Sequence, residues 1–187
     1  MHNRRMALEW TTSYLKDSID LLRYYKKLGE QAMQQVSDEA LTVALDPESN
    51  SIAIIVQHLS GNMRSRWTDF LTSDGEKLGR NRDSEFESHA MTRAEILSAW
   101  EEGWKIAFAA LNELTDADLS RTIRIRTDAH SVMQAIHRQV AHYAYHIGQV
   151  VFIAKHLSGE GWKSLTIPRG KSAEYNARVG AGELSQR

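Results

Sequence analysis

The stretch Ser131-Val132-Met133-Gln134-Ala135-Ile136-His137-Arg138-Gln139-Val140-Ala141-His142-Tyr143-Ala144-Tyr145-His146-Ile147-Gly148-Gln149-Val150-Val151-Phe152-Ile153-Ala154-Lys155-His156-Leu157 decides the reading of this chain. Val132, Ile136, Val140, Tyr143, Ile147, Val150, Val151 and Ala154 recur at helical spacing, with Ser131 as the N-cap and Gly159 as the stop. Two histidines four apart on a helix differ by about 40° in direction and about 6 Å in rise. The imidazoles of His142 and His146 therefore leave one face, and one helix can supply two ligands to one metal ion.

Outward from this helix the same periodicity returns three times. Leu8, Leu15, Ile19, Leu22, Tyr25 and Leu28 give a first helix from about Arg5 to Gln35, interrupted only by Gly29. Asp46-Pro47-Glu48-Ser49-Asn50 has the chemistry of a turn and helix start. A second helix follows through Ile52, Ile55, Leu59, Met63 and Trp67 to about Leu71, and it carries His58. Gly61 inside it suits the approach of another backbone or a ligand. Thr92 with Glu95 makes a capping-box pattern for a third helix, with Ile96, Trp100, Gly103 or Trp104, Ala107, Phe108 and Leu111 on its face and an end near Leu114.

The connections differ in length. Residues 72–90 form a long polar loop, of the kind that is usually functional or mobile, and it is placed over one end of the helices. Arg121-Thr122-Ile123-Arg124-Ile125-Arg126-Thr127 alternates polar and apolar residues as a short extended segment would. From about residue 160 the tail is irregular and straps across the helices, with one or two helical turns over Ser172 to Arg178. These elements predict an all-α four-helix bundle in one domain covering residues 1–187.

Composition narrows the function. With 23 Lys and Arg against 24 Asp and Glu, and a formal charge of -1, nothing points to nucleic acid or an acidic membrane surface. There is no cysteine, so any metal sits on nitrogen and oxygen, and a thiol mechanism has to bring its sulfur with the substrate. No signal-peptide h-region follows Arg4-Arg5 and no apolar run reaches the roughly 18 residues of a membrane span, so the chain reads as cytoplasmic.

Of the eight histidines, His2 is terminal, His89 and His130 fall in expected loops, and His156 sits on the outer last turn of its helix. His58, flanked by Ile54, Ile55 and Leu59, leans toward the core, as do His142 and His146. Three such rings are either core side chains with hydrogen-bond partners of their own or ligands that share a metal. The pair is not an H-E-x-x-H protease motif, because Tyr143 stands where the glutamate would be.

His58 on one helix and H142-Y-A-Y-H146-I-G-Q149 on another resemble the DinB/YfiT-like superfamily of metal-binding four-helix bundles, over nearly the whole chain. The strings His58-Leu59-Ser60-Gly61-Asn62-Met63-Arg64-Ser65-Arg66-Trp67, Asp74-Gly75-Glu76-Lys77 and Ile167-Pro168-Arg169-Gly170 look like an uncharacterised subgroup of it. The resemblance implies that His58, His142 and His146 hold a divalent ion, zinc or nickel, with water or substrate completing the coordination. It further implies a homodimer and a transferase adding a low-molecular-weight thiol to a small electrophile. The alternatives are a non-catalytic metal or small-molecule binding stress protein and a metal-dependent hydrolase of a small substrate.

Residues near the ligands receive expected roles. Asn62 and Arg66 follow His58 at i+4 and i+8 and either anchor an anionic substrate or take part in a salt bridge to Asp or Glu. Gln149 shares the ligand stripe and bonds a substrate or a group behind the ligands, or makes a structural hydrogen bond to another helix. Tyr145 and His137 are either proton-transfer groups or packing residues.

Overall fold

Each long helix opens on a side chain that takes up its free amides. The computed structural model describes residues 13–184. Ser13 is extended and its side chain accepts from the Lys16 amide, so α1 runs Tyr14–Met33. The expected start at Arg5, with Leu8, and the terminal His2 lie outside the described residues. Asp46 closes the turn before α2 by accepting from the Glu48 amide and the Ser49 hydroxyl. Ser51 then caps α2 (Ile52–Trp67) through the Ile54 amide. This helix stops short of Leu71, because Thr68 is extended and Asp69 takes a φ of 48°. The Thr92/Glu95 capping box opens α3 (Arg93–Asn112).

The extended segment is half of a hairpin. Strand β1 (Thr122–Ile125) pairs antiparallel with β2 (Asp128–Ser131), where the sequence reading expects only a connection. His130 thus stands on a strand opposite Ile123 rather than in a loop. Asp128-Ala129-His130-Ser131 has no apolar alternation to mark it as a strand, because none of its side chains is fully buried. Ser131 ends the hairpin and, in a capping box with Gln134, opens α4 (Val132–Ser158). In the tail, Gln35 on the exit of α1 pairs with the Lys163 amide and carbonyl, and Trp162 and Leu165 pack on the core. Beyond them α5 (Ser172–Gly180) has no fully buried side chain.

Helix α2 packs against α3 and α4, and α1 packs against α4. Their shared core is rich in large rings: Trp100, Trp104 and Tyr143 are almost wholly buried and meet edge to face, with centroids 5.6 Å and 5.5 Å apart. The glycine inside α1 is explained by this packing, because a Cβ on Gly29 would come within 2.6 Å of the Trp100 ring. Residues 72–90 contain a 3-10 turn, Asp83–Phe86, that lies against α2, where Gln57 Nε2 donates to the Ser84 carbonyl at 2.8 Å. Among the described residues no helix is long and apolar enough to cross a membrane.

Candidate metal centre

His58 sits in the middle of α2, on the side facing α4, and His142 and His146 leave α4 toward it. One ring nitrogen from each lies within 4.8 Å of the other two. The ring centroids are 5.3 Å, 4.9 Å and 4.7 Å apart, for His58–His142, His58–His146 and His142–His146. His58 and His146 are buried, and His142 is half-buried. His58 Nε2 and His142 Nε2 stand 3.2 Å apart. Two nitrogens bound at roughly 2.0–2.1 Å to one tetrahedral ion stand about 3.3 Å apart, so this separation is a ligand spacing as well as a hydrogen-bond length.

The outer nitrogens are also informative. His58 Nδ1 lies 2.9 Å from Glu85 Oε2, and His146 Nδ1 lies 2.8 Å from Gln149 Oε1. Each of these rings therefore turns its Nε2 inward. His142 Nδ1 is buried with no hydrogen-bond partner among the described residues. Burial, the neighbouring His146 and His58, and the Arg66 and Arg80 charges push the His142 imidazole down to about 3. Burial also pushes His146 down, against the bond from Gln149. At neutral pH these two rings are uncharged, which is the form in which a histidine ligates a cation.

Glu85 has no counterpart among the residues the sequence singles out. It arrives on the 3-10 turn, is buried beside His58, and is gripped by Arg80, whose Nε donates to Oε1 at 2.7 Å and Nη2 to Oε2 at 2.8 Å. Burial alone would raise its carboxyl, but the bonds from Arg80 and His58 outweigh it and hold the group below the usual carboxylate range. Arg80 in turn meets Glu76 at 3.2 Å, and Glu76 also meets Arg126 at 3.2 Å. The signal for Glu85 in the sequence is Gly61. What approaches this glycine is neither a backbone nor a ligand but the Glu85 carboxylate, whose Cδ a Cβ at position 61 would meet at 2.7 Å.

The other expected residues carry protein partners. Asn62 Oδ1 accepts from the Tyr143 hydroxyl, and Arg66 donates to the Gly75 carbonyl and lies 3.5 Å from Glu76. Both are buried. Tyr145 is 64 % exposed with its ring centroid 5.0 Å from that of His146, and His137 is exposed against Tyr14, 5.6 Å away on the surface. The three histidines come together; His89 and His156 stay exposed and apart from them.

A family model covers residues 9–171, which include both helices that carry the clustered histidines and the loop that carries Glu85. The chain belongs to DUF1572, a family of proteins of unknown function. The family region ends just before α5, so every element of the histidine cluster lies inside it. No curated protein matches the chain.

Proposed function

We propose that this DUF1572 chain is a DinB-like four-helix-bundle protein that binds a divalent ion, zinc or nickel, on His58, His142 and His146. The observation that carries the reading is the convergence of three imidazoles at ligand spacing, with His58 Nε2 and His142 Nε2 3.2 Å apart. A set of three neutral donors suits these borderline ions and leaves coordination positions for another ligand. A bound ion would supply Lewis acidity and lower the pKa of a coordinated thiol or water. The chain's own part is to hold the rings, to keep the rings on α4 uncharged at neutral pH, and to exclude water behind them. The resemblance to the DinB/YfiT-like superfamily extends the proposal to a transferase that adds a low-molecular-weight thiol to a small electrophile and works as a homodimer.

The burial of His58 and His146 favours a second reading, in which the ion is structural or sensory and nothing is turned over. Two surface clefts, one bordered by Leu15, Asp20 and Asp116 and one by Thr42, His89 and Thr92, contain none of the three histidines. Hydrolysis of a small substrate at the same ion is the third alternative.

Elemental mass spectrometry on tag-free protein tests the metal. About one ion per chain is expected, lost in His58→Ala, His142→Ala and His146→Ala and kept in His156→Ala. No ion after dialysis against zinc, nickel and manganese would refute the reading. A cobalt-substituted sample then separates the alternatives: a spectrum that shifts on adding a thiol supports an open coordination position, and one that does not move supports the structural role.

A further inference from the structure

We infer that Glu85 is the positioning residue of the histidine cluster: it holds His58 with the ring proton on Nδ1 and Nε2 turned to His142 and His146, and Gly61 makes this possible. Arg80 forks onto Glu85, so both carboxylate oxygens accept, at 2.7 Å and 2.8 Å. Oε2, one of these two acceptors, is the atom that faces His58 Nδ1 at 2.9 Å. A carboxylate held in this way has no proton to give. The proton in that contact belongs to the imidazole, and in the neutral ring Nε2 is then the nitrogen that carries the free lone pair.

Several features keep the pair in place. Glu76 braces Arg80 from behind at 3.2 Å and 3.3 Å. Phe86, the neighbour of Glu85 in the turn, lays its ring 4.6 Å from that of His58. Gln57 ties the same turn to α2. Gly61 is the permissive element, since a Cβ there would overlap Glu85 Oε1 and stand 2.7 Å from its Cδ. A side chain at 61 and the Glu85 carboxylate cannot both keep these positions.

His146 is held differently. Its Nδ1 meets the neutral amide of Gln149, which can rotate to accept from or donate to the ring and so selects no tautomer. His58 is the one ring of the three that faces a charged group with a single possible role. It is therefore the fixed point of the cluster. Groups in this position typically change metal affinity by roughly 10–100-fold. That consequence rests on the metal-binding reading, whereas the tautomer does not.

The experiment uses metal-free protein labelled with 15N-histidine, in which long-range proton–nitrogen correlation reports which ring nitrogen carries the proton. His58 is expected as the Nδ1–H form in the wild type and as the Nε2–H form or an exchanging mixture in both Glu85→Ala and Gly61→Ala. Zinc affinity, read by competition with a chromophoric chelator, should fall roughly 10–100-fold in both variants and stay unchanged in His156→Ala. An Nε2–H form in the wild type overturns the inference. So does an unchanged tautomer in Glu85→Ala protein whose circular dichroism is that of the wild type. If the wild type binds no zinc, the metal reading fails, and the tautomer still decides the role of Glu85.

Discussion

Asp74 Oδ2 accepts from the Thr127 amide at 2.7 Å, and Asp74 Oδ1 accepts from the Arg126 amide at 2.8 Å. One carboxylate from the long loop thus caps the tip of the β1–β2 hairpin. Arg126 and Thr127 take φ of 54° and 69°, a turn that Asn-Gly fills without strain. The amides of Glu76, Thr127 and Arg126 hold the Asp74 carboxyl below the usual range, and the last two bonds hold the turn in this conformation. Because β2 runs directly into α4, the loop that carries Glu85 to His58 also sets the start of the helix that carries His142 and His146.

Replacing Asp74 by Ala should therefore lower stability by about 1–2 kcal/mol, through three amides, those of Glu76, Arg126 and Thr127, left without their acceptor and a strained turn left without its clamp. Thr127→Gly in the same background should recover part of the loss, since glycine takes positive φ freely. Urea unfolding of the two single variants and the double variant checks this. Strictly additive effects would place the role of Asp74 elsewhere.

Tyr143 is fully buried, and its hydroxyl accepts from Trp67 Nε1 at 2.9 Å and donates to Asn62 Oδ1 at 3.2 Å. Tyr143→Phe keeps the ring and strands two buried polar groups, which should cost about 1–3 kcal/mol. The unfolding midpoint followed by tryptophan fluorescence gives the answer. A variant as stable as the wild type would mean that water reaches this bond.

Metal-free protein should be acid-labile. His142 sits at about 3 in the folded chain against 6.5 for the ordinary imidazole, so between these values the unfolded state binds more protons. Its contribution to stability is complete above about pH 6.5 and is lost as the pH falls toward 3. At pH 5 the loss should be on the order of 1–2 kcal/mol. His142→Gln should flatten this slope when urea midpoints are compared at about pH 7 and about pH 5, and an unchanged slope would assign the acid lability to other groups.

Metal loading should raise stability by mass action, by about 2.7 kcal/mol when the free ion is at about 100 times its dissociation constant. Thermal melts with zinc and then with a chelator should show a reversible shift. The shift should vanish in His146→Ala and persist in His137→Ala, whose ring is on the surface against Tyr14.

What the sequence by itself determined was everything that depends on neighbours three or four residues apart. The Thr92/Glu95 box, the Ser131 cap, the apolar stripe of α4 and the shared direction of His142 and His146 are all of this kind. His58 was legible because an apolar stripe surrounds it. The expected roles of Asn62, Arg66 and Gln149 depended on what stands across from them, which periodicity does not specify. Only the tertiary structure decided that Glu85, 27 residues beyond His58, fills the space left by Gly61. It likewise decided that Asp74 clamps a turn 53 residues away and that β2 pairs with β1. These contacts join a loop without periodicity to helices and strands distant in the chain, and their energy comes from charge pairing and burial that exist only once the elements have packed.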